Sequence, residues 1–308
     1  MAFVRYEDSA IKVGYTTATE AIFANNVTVT ENLPLTAVRA LGFNGAVATT
    51  STGPIDGTFS ITYVPTAGGS IGSACKTKDG VPETILFESP QKNYEDDPFV
   101  MTVADTQIFA KGAVTSFSVT VEPNAIVPAT VEGNYYDCAG MLVGDAAFEG
   151  LAGTEAGGGD AVAHGSKSGP DDVAEVETVG FGSQPFTTTY SATRGLTPIF
   201  TVNRLDAVYV MPTDPTETLT MQGDNIPKPT LKGGGKADVV CDDSSYTPLC
   251  LDAYELGFKV NDVCGSNIYD VTVCGFMQSR DFAIAENDVL RGNVTIVDYN
   301  YKQDTGSE

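Results

Sequence analysis

Apolar and polar residues alternate with a period of two along much of the 308-residue chain. Side chains spaced in this way belong to strands with one face turned toward a core. Asn26-Val-Thr-Val-Thr30 alternates without a break. Leu33-Pro-Leu-Thr-Ala-Val-Arg-Ala-Leu-Gly42 follows, where Pro34 limits the run to an edge or a strand start, and Thr58-Phe-Ser-Ile-Thr-Tyr-Val64 alternates again. Phe99-Val-Met-Thr-Val103 and Gln107-Ile-Phe-Ala110 lead into a long strand pair that ends at Tyr136. In the second half, Pro185-Phe-Thr-Thr-Thr-Tyr190, Ile199-Phe-Thr-Val202, Ala207-Val-Tyr-Val-Met211 and Glu217-Thr-Leu-Thr-Met221 have the spacing of a β-meander. Tyr254–Val260 and Ile268–Val273 then feed a closing pair from Gly275 to Tyr299. Cys241–Leu256 is the one place in this half where a helical turn is expected.

The two long pairs echo each other. With Gly112 laid on Gly275 and no gap, Ser116 meets Ser279, Asn124 meets Asn287, Val131 meets Val294 and Tyr136 meets Tyr299. Val119 and Val121 fall on Phe282 and Ile284, so inward positions stay in phase. Chance would give roughly one or two identities over such a window at average residue frequencies. A duplicated β unit is the expectation, against the alternative that any two long hairpins look alike at this level.

Segments without alternation mark the boundaries. Residues 1–22 read as an arm with one short strand. Residues 42–57, glycine-punctuated and polar, are too long for a tight hairpin turn and read as a contact loop. Residues 65–98 are a looped excursion around Thr84-Ile-Leu-Phe87, and Lys228–Lys236 is another loop. Residues 139–183 are rich in Gly and Ala and bury little, so 148–183 is expected to be a linker between a first domain, 1–147, and a second, 184–308. The expected fold class is mainly β: two tandem antiparallel β-sandwich or barrel domains.

Composition adds constraints. There is no tryptophan, 42% of residues are hydrophobic, and no run of 18 apolar residues or N-terminal apolar signal core is present, so neither a membrane span nor secretion is expected. The 17 basic and 40 acidic residues give a net charge of −23, shared as −10 over residues 1–150 and −13 over the rest. Such a surface disfavours stable binding of nucleic acid or anionic lipid, and its simplest role is solubility. None of the six cysteines has zinc-knuckle spacing. Cys241, Cys250, Cys264 and Cys274 are close enough in sequence for one or two disulfides, but a chain with real cores does not need them and reduced thiols are favoured. Glu95-Asp-Asp-Pro98 lacks the ligand spacing of a calcium loop, and Gly165-Ser-Lys-Ser-Gly-Pro170 lacks the order of a phosphate loop. His164, the single histidine, stands in the glycine-rich segment, where a catalytic triad would be poorly held. No catalytic residue, cofactor site or metal site is expected, and the chain reads as a non-enzyme suited to assembly.

Two regions carry a family resemblance. Gly112-Ala-Val-Thr-Ser-Phe-Ser-Val-Thr-Val-Glu-Pro-Asn-Ala-Ile-Val-Pro-Ala-Thr-Val-Glu-Gly133 and Gly275–Tyr299 resemble the closing strand pair of tail tube proteins of tailed bacteriophages. The stretch from Asn26 through Gly57-Thr-Phe-Ser-Ile-Thr-Tyr-Val64 looks like that family's opening hairpin. The resemblance covers less than half the chain, and the family's amphipathic helix is not apparent. It implies a virion tail protein, made in the host bacterial cytoplasm, whose units form rings that stack into a hollow tube. Six units normally make a ring, so two per chain imply a trimer, and otherwise a hexamer with an outer second half. Expected partners are the chain itself, other tail proteins and passing double-stranded DNA, with no membrane. On this resemblance Phe3, Tyr6, Phe43, Asn44, Ile55 and Asp56 are contact residues between rings or subunits, and Ser118, Thr120, Glu122 and Asp281 face the lumen. A β-sandwich capsid decoration or surface adhesion protein is the alternative.

Overall fold

A computed structural model describes residues 11–15, 18–64, 98–103, 106–136, 176–179, 185–202, 206–224, 227, 229–231, 235–236, 254–261, 267–286 and 288–299. The described chain is antiparallel β structure throughout, with sixteen strands and no helix among these residues.

In the first half, β1 (Ile11–Tyr15), β2 (Ala18–Asn32), β5 (Asp56–Val64), β6 (Phe99–Val103), β7 (Thr106–Val121) and β8 (Ala129–Tyr135) pair in the circuit β7–β6–β1–β2–β5–β8–β7. That circuit closes a six-stranded barrel, which leaves few free edges. In the second half, β9 (Val176–Val179), β10 (Pro185–Ile199), β11 (Tyr209–Gly223), β14 (Tyr254–Asn261), β15 (Asn267–Ala283) and β16 (Arg291–Asp298) follow the order β9–β14–β15–β16–β11–β10. Two short strands, β12 (Thr230–Leu231) and β13 (Gly235–Lys236), extend the β14 side. Outside both sets, β3 (Leu35–Val38) and β4 (Ala48–Ser51) form a separate hairpin between β2 and β5.

The strand registers of the two halves repeat pair for pair. Adding 163 to both members of Ala113–Asn134, Ser116–Glu132 and Val119–Ala129 gives Phe276–Val297, Ser279–Thr295 and Phe282–Gly292, which are the β15–β16 pairs. The bulge after Val114 reappears after Met277. The β5–β8 pair Phe59–Gly133 corresponds to Leu219–Ile296, and the β2–β5 pair Val29–Phe59 to Tyr190–Leu219, with offsets of 160 on β5 and 161 on β2. The bulge between Ala24 and Asn26 likewise matches the one between Pro185 and Thr187. Bulges fix register and strand curvature, so their coincidence marks one β unit used twice.

Several elements differ from the sequence expectation. Within the expected arm 1–22, β1 and the start of β2 are barrel strands. Val176–Val179, inside the expected linker, pairs with β14. The expected loop 228–236 holds β12 and β13. The excursion 65–98 lies almost entirely outside the described residues, as do Cys75, Cys138, Cys241, Cys250, Cys264, His164, Glu95–Asp97 and Gly165–Pro170. The expected helical turn near Cys241–Leu256 falls outside them too, apart from Tyr254–Leu256, which are strand.

One hydrophobic cluster spans both halves. In the first, Phe109 stacks on Phe59 at 4.8 Å and on Tyr135 at 4.9 Å between ring centres, and Phe99 stacks on Phe59 at 5.3 Å. The Tyr135 ring lies directly over Gly57, where any Cβ would collide with it, and its hydroxyl donates to the Thr30 carbonyl at 3.1 Å. The halves meet where Phe117, Val119 and Val121 of β7 pack with Tyr190 and Ala192 of β10. Here Tyr190 donates to the buried Glu217 carboxylate at 2.8 Å, and the Arg194 Nε donates to the Val114 carbonyl at 2.8 Å. Both buried side chains are hydrogen-bonded, as burial of polar groups requires.

Thr188, 1% exposed at this junction, is the exception: its hydroxyl has no hydrogen-bond partner among the described residues. Val27 holds the same position in the first half. Replacing a buried unsatisfied hydroxyl by a methyl of the same shape removes a desolvation cost of about 1 kcal/mol or more. Thr188→Val is therefore expected to raise the urea midpoint at unchanged slope; a lower midpoint would show that the hydroxyl is bonded.

Candidate assembly surface

The strands carrying the repeated registers form one continuous sheet of eight, in the order β2–β5–β8–β7–β10–β11–β16–β15. Cα partners in a ladder share a face, so alternation along each strand becomes a sidedness of the whole sheet. One face holds the core residues Phe59, Phe117, Tyr190 and Leu219. The other is built of small hydroxyl and amide side chains. Thr28 and Thr30 stand on β2, Ser60 and Thr62 on β5, Ser116, Ser118 and Thr120 on β7, Thr189 and Ser191 on β10, and Thr218 and Thr220 on β11.

Cross-strand hydrogen bonds hold this face. Thr62 and Thr130 share one at 3.2 Å, Thr220 and Thr295 one at 3.0 Å, and Ser116 donates to Glu132 at 3.0 Å. Glu122, Glu132 and Asp281 add negative charge, while Arg291, at the far end, is tied to Asp288 at 3.4 Å. The exposed Asp288 carboxyl is held below its ordinary value by the Val289 N–H and then by the Arg291 charge. Toward one end, the small cluster of Ala113, Tyr136, Ala207 and Val210 covers the face. Burial there raises the Tyr136 phenol, a bond from Asn134 opposes that, and the charge of Asp56 adds to the rise.

Ser118 and Thr120, the expected lumen positions, lie on the hydroxyl face, each opposite a hydroxyl of β10: Ser191 and Thr189. Glu122 follows β7 and is exposed. Asp281 is exposed at the position equivalent to Ser118, in the strand at the end of the sheet.

The expected contact loop 42–57 is largely ordered. Its centre is the tip of the β3–β4 hairpin, turned at Gly42, whose φ of +88° suits glycine. Phe43 and Asn44 are exposed at this tip, together with Leu41 and Val47. Ile55 and Asp56 do not belong with them. Ile55 is 5% exposed inside its own chain, and Asp56 opens β5 opposite Asn32. A lone apolar residue after proline carries no periodic signal, so the sequence did not separate Ile55 from the loop. Phe3 and Tyr6 lie outside the described residues.

No known protein family and no curated protein sequence matches this chain. The described residues contain no group of three or more His, Cys, Asp or Glu side chains placed to hold a metal.

Sequence reasoning missed the two ends of the sheet. Along β2 at residues 27–32 and along β15 at 279–283, with Ile284 just beyond, one side has no strand beside it among the described residues. The exposed apolar residues Phe282 and Ile284 were the available signal. They align with Val119 and Val121, which are buried.

Proposed function

We propose that this chain is a non-catalytic virion structural protein that self-assembles into rings, which stack into the hollow tail tube through which phage DNA passes. The observation that carries this reading is the edge-to-edge joining of two like β units within one chain, β7 to β10, so that each chain is already a short arc of a repeating sheet. A repeated heterologous joint closes into a ring when its rotation allows. Three chains would supply six units, and the trimer is the assembly we favour.

Two further features fit the proposal. Small hydroxyls and carboxylates on the uncovered face offer phosphates no cationic partner over most of its width, so DNA would slide past without being held. The hairpin tip with Leu41, Phe43 and Val47 offers an apolar contact for the next ring, a virion neighbour or both. That exposed tip is also what a capsid decoration or adhesion protein would use, and it keeps the alternative in play. Proposed partners are the chain itself and other tail proteins, in the virion tail, after synthesis in the host cytoplasm.

Negative-stain electron microscopy of concentrated protein, with sedimentation alongside, decides between the two. Hollow tubes or stacked rings are expected, with threefold or sixfold symmetry reporting the number of chains per ring. Uniform small particles without rings would reject the tube and favour decoration or adhesion.

A further inference from the structure

We propose that the β15 edge, residues 279–284, pairs antiparallel with the β2 edge, residues 27–32, of a second copy of this chain, in the register that β7 and β10 use within one chain. The inference rests on the assembly reading and deepens it by naming the joint.

Inside the chain, β10 lies against β7 with Thr188 opposite Val121, Tyr190 opposite Val119, Ala192 opposite Phe117 and Thr193 opposite Ser116. The registers map β10 onto β2 by an offset of 161 and β7 onto β15 by 163. Carried over, the same joint sets Val27 opposite Ile284, Val29 opposite Phe282, Glu31 opposite Arg280, and Asn32 opposite Ser279. Both edges exist and are uncovered among the described residues. β5 occupies one side of β2 along this stretch and β16 one side of β15, while β1 and β14 end before reaching the other sides. Strand directions agree as well, since an eight-stranded antiparallel sheet ends in strands that run oppositely.

The side chains point to the same occupant. Val119 and Val121, where β10 lies beside β7, are 1% and 4% exposed; their counterparts Phe282 and Ile284, with no such neighbour among the described residues, are 60% and 72% exposed. Large apolar side chains at an open strand edge invite another strand unless it is blocked. Glu31 and Arg280 carry opposite charges at facing positions, which favours this register over slips that separate them. On the other face Thr28, Thr30 and Asn32 would meet Ala283, Asp281 and Ser279, continuing the hydroxyl face across the joint. One difference from the internal joint is plain. Leu33 takes the place of Arg194, so the guanidinium that ties β10 to the Val114 carbonyl has no counterpart, and the joint between chains would rely on Phe282, Ile284 and the Glu31–Arg280 pair.

The test mixes full-length Thr30→Cys chains with Asp281→Cys chains under mild oxidation and reads linked peptides by mass spectrometry, which separates them from links through the native cysteines. A link between positions 30 and 281 of different chains is expected. None is expected when Asn26→Cys replaces Thr30→Cys, four residues out of register and about 13 Å away. In sedimentation, Phe282→Asp should raise the concentration for half-assembly about tenfold or more, with the far-ultraviolet circular dichroism unchanged. Glu31→Arg and Arg280→Glu should each weaken assembly and together restore it. Rings or tubes with no link between 30 and 281 would overturn the joint while leaving the tube standing. A 30–281 link in particles that never form tubes would uphold the joint and reject the tube. Single chains at every concentration, or links between two β15 strands, would overturn the joint.

Discussion

Phe109→Ala is expected to destabilise the chain by about 3–5 kcal/mol, the range for truncating a buried aromatic whose cavity cannot close. Phe109 is fully buried and is the hub of the first barrel's aromatic cluster, meeting Phe59, Tyr135 and Phe99 with ring centres 4.8, 4.9 and 6.4 Å away. Removing it forfeits burial and three ring contacts together, and the rigid barrel wall limits collapse into the void. Tyr135→Phe is the graded comparison. It keeps the ring and deletes the hydroxyl with its bond to the Thr30 carbonyl, a loss of about 1 kcal/mol. Urea unfolding followed by circular dichroism measures both. Equal effects would mean that packing around Phe109 is looser than described.

Gly275→Ala is expected to cost about 1–3 kcal/mol or more, as overpacking against atoms that cannot turn aside does. A Cβ at Gly275 would stand 2.4 Å from the Val297 carbonyl oxygen and 2.9 Å from the Asp298 nitrogen, both backbone atoms of β16. The site is where β15 passes from β14 to β16, and Gly112 holds the equivalent point of the first barrel. Gly195→Ala is the control. Its Cβ would meet the Thr213 hydroxyl oxygen, which can rotate away, so the change should fall within about 0.5 kcal/mol. Matching urea midpoints for the two variants would refute the crowding argument.

The repeat was legible in part, for a physical reason. The pairs Ser116/Ser279 and Val131/Val294 aligned without a gap because the closing hairpin has one length in both copies and so keeps a single offset of 163. The opening hairpin has different offsets on its two strands, since the connection between them differs in length. Its matched positions, such as Val29 with Tyr190 and Ile61 with Met221, share only inward direction. Of the β3–β4 hairpin, β3 falls in the run Leu33–Gly42 that reads as an edge strand, whereas β4 was hidden in the expected loop 42–57 because its residues are mostly exposed, and strands without a buried face need not alternate. Four-residue β9 was hidden in glycine- and alanine-rich sequence for want of length. The lumen candidates Ser118 and Thr120 were legible as polar partners of buried Val119 and Val121, whereas Ile55 was misplaced because nothing local shows what a single side chain packs against.

The sequence by itself determined a β protein whose strands alternate polar and apolar positions, with a repeat visible in its closing strand pair. Side-chain alternation selects a face wherever the chain goes, and a gapless repeat survives without knowledge of contacts. Only the tertiary structure decided which strand lies beside which: that β10 covers the β7 edge, and that parts of β2 and β15 keep one side without a strand among the described residues. Ladder hydrogen bonds are made by backbone groups common to all residues, so neighbours are chosen by bulges, connections and packing that appear only when the chain is folded.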